Sequence, residues 1–254
     1  MFMLVQNRVL NRVYVPDDRD YPVISLLGAS PTTLTEKFWW DDGWWGNQGE
    51  TSECTAYSWT HWMEDNALNQ PLLESLSHPL WNVDAFYTKL QKNDGIAGVG
   101  YDGSTVRAGA KVLRELNILE EYRWAKTIDE MSQSILTIGP VVCGTSWYQG
   151  MFSPNSAGFI RPTGGIAGGH AYVINGVDTV KKYFRIKNSW GRDYGVNGHA
   201  YISFDDFATL MYMNGDVCVP IPNKLTTIPA FNTVTDTDTP TDPTTPSVTP
   251  ALGQ

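Results

Sequence analysis

The second half of the chain changes from helix-type to strand-type sequence, which limits the folds it can adopt. Four short segments there are rich in β-branched and aromatic residues and are separated by Gly, Asp or Asn turns: PVVCGTS, HAYVINGVD, YFRIKNS and HAYISF. Such segments predict antiparallel strands of one curved sheet or barrel. Upstream of them, apolar residues recur at helical spacing. Helices first and strands later predict an α+β fold.

Helices are predicted in three places before the strands. The first runs from about Cys54 to Leu68, because apolar and aromatic side chains in CTAYSWTHWMEDNAL lie close to helical spacing. Ser104 is expected to cap the second, in STVRAGAKVLREL, and Asp129 the third. The later glycine run TGGIAGGH predicts a loop that passes close to other backbone just before His170.

Length and composition define the domain boundaries. A chain of 254 residues has the length of one large domain with appendages. Beyond Lys224 the sequence is mainly Thr, Pro, Asp and small residues, which bury too little apolar area to offset the entropy of ordering. We expect an N-terminal arm over 1–35, a folded domain over 36–224 and a disordered tail or linker over 225–254.

Charge and cysteine usage exclude several classes of function. The formal net charge of −9 would repel phosphate backbones, so no nucleic-acid partner is expected. No stretch is long enough to span a membrane, and the apolar start is too short for a secretory signal. Three cysteines make no disulfide framework, which favours a reducing compartment, cytoplasmic or virion-associated. No zinc spacing is present, and neither a metal nor another cofactor is expected.

Cys54 has the setting that a nucleophile needs. A thiol attacks a carbonyl as the thiolate, and the N-terminus of a helix lowers its pKa. A histidine must come from elsewhere in the fold, with its ring held in one tautomer by an Asn or Asp. His170, which begins one predicted strand, and Asn188, near the end of the next, are the candidates.

Three separate blocks carry a resemblance to a known family. They are NQGETSECTAYSW, GGHAYVINGVD and RIKNSWGRDYGVNGHAYIS, in the order Cys, His, Asn. The sequence resembles the papain-like cysteine peptidases over about residues 15–220. The segment VPDDRDY and the Thr-Ala after the cysteine are similar to the bacterial, archaeal and phage branch without a long propeptide. The resemblance implies a two-lobed α+β fold, with a helical lobe around the nucleophile helix and an antiparallel β-barrel-like lobe.

The resemblance also implies roles for individual residues. Cys54 would be the nucleophile, His170 the general base and acid, and Asn188 the residue that orients the imidazole. Gln48 would donate its side-chain amide to the oxyanion, together with the backbone N–H of Cys54.

Other positions are implied to contact the substrate. Trp190 would cover the His–Asn hydrogen bond, and Gly103 would border the cleft and pair with substrate backbone. Ala171 and the segment around Val141 would contribute to the pocket for the side chain next to the scissile residue.

The implied function is a cysteine endopeptidase that hydrolyses peptide or isopeptide bonds through an acyl-enzyme intermediate. Its partner would be a protein or peptide substrate, and the oligomeric state is left open. One alternative is a cell-wall amide hydrolase or transpeptidase with the same triad. Another is a catalytically silent binding or assembly module.

The chain departs from the family pattern near the nucleophile. Thr51 stands at the position of a disulfide cysteine, and Cys143 and Cys218 are expected to be buried free thiols. Glu53 directly precedes Cys54, and its carboxylate is expected to raise the pKa of the thiol unless it points into water.

Aromatic residues before the nucleophile permit two interpretations. The cluster FWWDDGWWGNQG is either a substrate platform or packing beneath the first helix. His61 is expected on the helix surface or half-buried.

Overall fold

The structure is a computed structural model that describes residues 8–18, 20–27, 32–39, 41, 44–65, 79–96 and 102–225. The predicted tail lies outside these ranges from residue 226 onward. Five α-helices occur in the described part: α1 (Cys54–Glu64), α2 (Val83–Asn93), α3 (Val106–Glu115), α4 (Ile128–Thr137) and α5 (Phe204–Tyr212). Seven strands accompany them: β1 (Glu36–Phe38), β2 (Leu119–Trp124), β3 (Val141–Tyr148), β4 (Ile166–Asp178), β5 (Tyr183–Lys187), β6 (His199–Ser203) and β7 (Asp216–Pro222).

The helix starts follow local capping, and both predicted caps were wrong. The side chain of Thr105, not Ser104, accepts the capping hydrogen bond of α3. In α4 this role falls to Thr127, not Asp129. In both cases the extended residue directly before the first helical residue takes the cap, because its hydroxyl reaches the free N–H groups of the first turn.

The strands form one sheet, as predicted. The order is β2-β7-β3-β4-β5-β6, with β1 paired to β4, and every pairing is antiparallel. The second half of the glycine run is not a loop, because β4 already begins at Ile166.

Two apolar clusters divide the molecule into two lobes, in agreement with the predicted fold. One joins the sheet to α4 and α5 and includes Phe184 and Phe207. The other surrounds α1 to α3 and includes Phe86, Trp59 and Trp62. These two indoles are fixed in place, since Trp59 donates to the Val106 carbonyl and Trp62 to the Pro140 carbonyl, each over 3.0 Å. These two hydrogen bonds therefore fix helix α1 relative to its neighbours in both lobes.

The N-terminal arm is attached to the domain through buried charge. Asp20, in the VPDDRDY segment, forms an ion pair with Arg107 of α3, and both side chains are largely buried. Further along, the Trp124 amide donates to the Tyr21 carbonyl over 3.0 Å. These contacts hold the residues that precede Asp20 against the domain.

The described tryptophans before α1 pack within the domain. Trp39 donates to the Ile135 carbonyl over 2.7 Å, and Trp44 stacks on Tyr57. Trp40 lies outside the described residues. His61 is fully buried, contrary to prediction, because its Nε2 accepts a hydrogen bond from a backbone amide in this segment, 2.9 Å away. Within the described ranges, no helix has the length and apolar character required to cross a bilayer.

Candidate active site

Cys54 is the first residue of α1 and is fully buried. Burial raises the pKa of its thiol, while hydrogen bonds from the backbone of Ala171, Asn11 and Thr55 oppose this. Ala171 directly follows His170 in β4, so the contact joins helix α1 to the strand that carries His170. Glu53 accepts a hydrogen bond from the Thr51 hydroxyl over 3.2 Å, and its effect on Cys54 stays a prediction.

His170 and Asn188 form a buried hydrogen-bonded pair. The distance from His170 Nε2 to Asn188 Oδ1 is 2.9 Å, and both side chains are fully buried. The same oxygen accepts the Ser189 backbone N–H over 2.8 Å, which identifies it as the amide oxygen. Nε2 must therefore carry the proton. Nδ1 is left as the proton acceptor, and it has no hydrogen-bond partner among the described residues.

Burial disfavours the charged forms of both Cys54 and His170. Burial lowers the pKa of His170 from 6.5 to about 4, although the hydrogen bond to Asn188 opposes the shift. The cationic side chain of Arg8 lowers it further. The pKa values of Cys54 and His170 are therefore shifted in the directions that favour a neutral thiol and a neutral imidazole.

Two indoles enclose the imidazole. Trp190 stacks on the His170 ring with centroids 4.9 Å apart, consistent with its predicted covering position. Trp147 of β3 meets the ring edge-on at 4.8 Å. Trp147 was not among the predicted site residues, because the predicted segment PVVCGTS ends one residue before it, whereas β3 extends to Tyr148. Together the two rings keep the imidazole in one orientation.

Gln48 is oriented toward the cleft by Ser189. The Ser189 hydroxyl donates to Gln48 Oε1 over 2.6 Å. The backbone N–H of Gln48 donates to the Ser189 carbonyl over 2.9 Å. The side-chain nitrogen then donates to the Thr51 carbonyl at 2.9 Å and to the Val9 carbonyl at 3.3 Å. A carbonyl oxygen of the N-terminal arm thus meets the donor that the family resemblance assigned to the oxyanion.

The N-terminal arm occupies the cleft as an extended segment. Its Arg12 amide donates to the Gly169 carbonyl over 2.8 Å, and its Val13 amide donates to the Ser104 carbonyl over 2.9 Å. At the other end, Arg8 lies 5.3 Å from the centre of the Trp190 ring. The arm therefore extends past Cys54 along both lobes.

Two glycines make room for the arm. A Cβ on Gly103 would lie 1.9 Å from the Asn11 carbonyl oxygen, and the φ of Gly103 is +115°. A Cβ on Gly169 would lie 2.1 Å from the Arg12 carbonyl oxygen. Gly103 therefore borders the cleft, but arm backbone lies against it in this structure.

A buried ionic network supports Asn188 from behind. Lys187, the last residue of β5, lies 2.8 Å from both carboxylate oxygens of Asp65, and both side chains are fully buried. The Lys187 ammonium lies over the Trp45 ring at 4.7 Å, and the Trp45 indole donates to the Asn188 carbonyl over 3.2 Å. Burial raises the pKa of Asp65, whereas Lys187 opposes this. Among the described residues of the aromatic cluster, Trp45 thus braces the backbone of Asn188 instead of forming an open platform.

The sequence reasoning missed the arm residues that enter the site. Their signal was present, because the arm holds the tandem pattern NRVLNRV, which places Arg8 and Arg12 at equivalent positions. Cys143 and Cys218 are buried free thiols, as expected. In the described ranges, no group of three or more His, Cys, Asp or Glu side chains is arranged to hold a metal ion.

Comparisons with known proteins agree on one family. The model of the papain family cysteine proteases matches residues 87–217, which include His170 and Asn188 and begin after Cys54. Cathepsin B-like cysteine proteinase 4 of Caenorhabditis elegans is 29% identical over 80 residues, which cover 31% of this chain and 24% of that protein.

Solved structures share the fold at low sequence identity. Xylellain, a cysteine protease from Xylella fastidiosa, is 20% identical with a TM-score of 0.66, covering 86% of this chain and 97% of that chain. The proCathepsin B S9 of Trypanosoma congolense is 13% identical with a TM-score of 0.65, covering 86% and 88%. Bromelain from Ananas comosus, in complex with the E64 inhibitor, is 16% identical with a TM-score of 0.56, covering 75% and 100%. Because the family model matches more than half of the chain, the protein belongs to the papain family of cysteine proteases.

Proposed function

We propose that this chain is a cysteine endopeptidase that hydrolyses peptide or isopeptide bonds with Cys54, His170 and Asn188. The observation that carries the proposal is the 2.9 Å hydrogen bond from His170 Nε2 to Asn188 Oδ1. It leaves Nδ1 as the proton acceptor, on the strand whose next amide contacts the Cys54 sulfur.

Acylation would begin with transfer of the thiol proton of Cys54 to His170 Nδ1. The sulfur then attacks the carbonyl carbon of the substrate, and the negative charge on its oxygen is bound by Gln48 Nε2 and the Cys54 backbone N–H. As the C–N bond breaks, His170 gives its proton to the leaving amine. A thioester on Cys54 and a free amine result.

Deacylation would consume one water molecule. The water gives a proton to His170 Nδ1 and attacks the thioester carbonyl, and the C–S bond breaks. The sulfur regains its proton from His170, and a carboxylic acid leaves. If an amine attacks instead, the product is a new amide, which is the transpeptidase alternative.

The arm-bound form would be latent. The position of the arm supports latency, because it fills the cleft and keeps Cys54 and His170 out of water. Val9 also places a carbonyl oxygen on the Gln48 donor, 3.3 Å away, where the substrate oxygen would bind. Displacement or removal of the arm would then be required before a substrate could reach Cys54.

The test combines active-site labelling with product analysis. An epoxysuccinyl peptide is added in sub-stoichiometric amount to the full chain and to its Arg12→Ala variant. In this variant the binding of the arm to the cleft is weakened. We expect selective labelling of Cys54 that is faster in the Arg12→Ala chain and lost on adding His170→Ala. Labelling of no cysteine, or of all three at similar slow rates, would favour a silent binding module.

Products then separate the alternatives. Casein and purified peptidoglycan are each incubated with the Arg12→Ala chain, with and without an added amine, and analysed by mass spectrometry. New carboxyl termini in casein support the endopeptidase. Release of peptides from peptidoglycan alone, or incorporation of the amine, would support the cell-wall hydrolase or the transpeptidase instead.

A further inference from the structure

The peptide bond between Asn188 and Ser189 is hydrogen-bonded at both of its polar groups. Its N–H, which belongs to Ser189, donates to Asn188 Oδ1 over 2.8 Å. Its C=O, which belongs to Asn188, accepts a hydrogen bond from the Trp45 indole over 3.2 Å. The two polar groups of a trans peptide lie in one plane and point in opposite directions. The Trp45 indole and the Asn188 side chain therefore bind opposite edges of one rigid plane.

The N–H of this peptide determines which end of the Asn188 side chain faces His170. Asn188 Nδ2 has no hydrogen-bond partner among the described residues, so the contacts of Oδ1 orient the amide. One contact is with His170 Nε2, at 2.9 Å. The other is with the Ser189 N–H, which would meet an NH₂ group if the amide were reversed. The Ser189 N–H therefore disfavours the reversed amide.

Reversal of the Asn188 amide would change the tautomer of the imidazole. It would place a donor against His170 Nε2, which would then have to accept, and the ring proton would move to Nδ1. In the proposed reaction Nδ1 takes the proton of Cys54, so a protonated Nδ1 cannot act as the base. The orientation of one peptide plane thus selects the reactive tautomer.

Trp45 is confined at the position from which its N–H reaches this peptide. The Lys187 ammonium lies 4.7 Å and the Arg192 guanidinium carbon 4.5 Å from the centre of its ring. The His199 ring is perpendicular to it, with centroids 4.7 Å apart. Gly198 makes room for the indole, since a Cβ there would lie 2.4 Å from two of its ring atoms. The indole is therefore packed on several sides.

The backbone next to Trp45 sets the register of this contact. Residues 46–48 lie antiparallel to residues 189–191. The Gln48 amide donates to the Ser189 carbonyl over 2.9 Å, and the Gly191 amide donates to the Gly46 carbonyl over 3.2 Å. Trp45 lies one residue beyond this short ladder, and its side chain provides the next hydrogen bond, to Asn188. The ladder therefore brings the indole to the peptide that precedes it.

We propose that Trp45 is a positioning residue, whose indole N–H holds the Asn188–Ser189 peptide and through it the reactive tautomer of His170. It acts through Asn188 and not on the substrate. This assignment rests on the proposed peptidase function, but its first test observes the imidazole and needs no catalysis.

The first test determines the tautomer of His170 by nitrogen NMR near neutral pH, in chains labelled with ¹⁵N-histidine. Trp45→Phe keeps an aromatic ring and removes the N–H. Trp39→Phe is the matched control, because the Trp39 indole also donates to a backbone carbonyl, that of Ile135 in α4, over 2.7 Å. The chain contains four histidines, and a spectrum of His170→Gln assigns the signals.

In the parent chain and in Trp39→Phe, we expect His170 Nδ1 to resonate as an unprotonated nitrogen and Nε2 as a protonated one. In Trp45→Phe the two resonances should move toward each other, because both tautomers become populated. Unchanged resonances in a folded Trp45→Phe chain would overturn the assignment. If that variant does not fold, 3-benzothienylalanine at position 45 gives the same comparison, since it has sulfur in place of the N–H and nearly the shape of tryptophan.

The second test measures kcat and KM for a peptide amide in the Arg12→Ala chain, which lacks the ion pair between the arm and Asp216. We expect Trp45→Phe to lower kcat by about three- to tenfold, the range for loss of one hydrogen bond, with little change in KM. Trp39→Phe should leave kcat and KM unchanged.

The two measurements separate the role of Trp45 from the peptidase activity. Mixed tautomers together with a lower kcat support both proposals. Mixed tautomers in Trp45→Phe, when the parent chain cleaves no substrate, retain the role of Trp45 and contradict the peptidase. A lower kcat with an unchanged tautomer contradicts the role of Trp45 and retains the peptidase.

Discussion

At the scale of single residues, two hydrogen bonds orient His170 and Gln48 in the candidate site. Asn188 determines the tautomer of His170, and Ser189, its neighbour in sequence, determines the direction of Gln48. Adjacent residues after one strand thus orient both the proposed base and the proposed oxyanion donor. A small movement of the chain after β5 would disturb the two functions together.

Gln48→Glu keeps nearly the same shape and removes the side-chain N–H donors. We expect kcat of the active form to fall by about 10²–10³ while KM changes little, because the donor acts chiefly on the developing oxyanion. Steady-state kinetics with a peptide amide checks this. Ser189→Ala, which only loosens Gln48, is the control and should give a smaller loss. An unchanged kcat in Gln48→Glu would exclude the proposed role.

At the scale of secondary-structure elements, α1 is attached to the sheet at both ends. Its N-terminal Cys54 contacts β4, and Asp65, directly after its last residue, forms an ion pair with Lys187 at the end of β5. The ion pair therefore fixes helix α1 relative to β5, the strand that leads to Asn188.

Lys187→Met removes one partner of the buried pair and leaves Asp65 without a counter-charge. We expect the free energy of unfolding to fall by about 3–5 kcal/mol, as for other buried pairs that lose one member. Denaturant unfolding measures this. The double variant Lys187→Met with Asp65→Leu removes both charges and should recover most of the loss. A single variant as stable as the parent chain would show that the pair does not hold the two elements.

Gly109→Ala tests the packing of α3 against α1. Alanine in place of glycine inside a helix normally stabilises by about 1 kcal/mol. Here the added Cβ would lie 2.1 Å from the Trp59 ring. We expect destabilisation by about 1–3 kcal/mol in thermal or denaturant unfolding, the cost of overpacking. Gly139→Ala, where no atom lies within 4 Å of the added Cβ, is the control and should change little. A gain in stability for Gly109→Ala would contradict the close packing.

At the scale of the whole molecule, we expect the arm to couple occupancy of the cleft to the protonation of His170. With the arm in place, burial and Arg8 hold the pKa of His170 near 4, below its ordinary value of 6.5. An open cleft would let water solvate the imidazolium. The open form then binds one more proton than the closed form between these two pKa values. The contribution of His170 to the stability of the closed arm is therefore complete above about pH 6.5. This contribution is lost as the pH falls toward 4.

Hydrogen exchange of residues 8–13, corrected for the intrinsic rate, checks this coupling. We expect protection of the arm amides to fall by roughly tenfold per pH unit between these limits, the slope for uptake of one proton. His170→Gln cannot take up that proton and should show a much flatter profile. Equal pH profiles in the two chains would contradict the coupling.

Much of the architecture and of the site follows from local sequence. Short segments rich in β-branched and aromatic residues, bounded by turn residues, predict β3 to β6, because such side chains favour extended backbone wherever the strand lies in the sheet. Cys54 at a helix start, with His170 and Asn188 in family order, predicts the catalytic set. The caps at Ser104 and Asp129 were wrong by one and two residues, because adjacent polar residues can each cap a helix and only the backbone decides between them.

The tertiary structure alone decided which distant charges meet. The pairs Lys187–Asp65 and Arg12–Asp216 join residues far apart in sequence, and no local spacing identifies them. Their partners are chosen by the antiparallel register, which aligns Ala171, Gly144 and Asp216, and by the path of the arm through the cleft. Sequence by itself predicted the candidate catalytic residues and the family. The folded structure determined which group occupies the cleft and which carboxylate pairs with Arg12, because both depend on long-range packing.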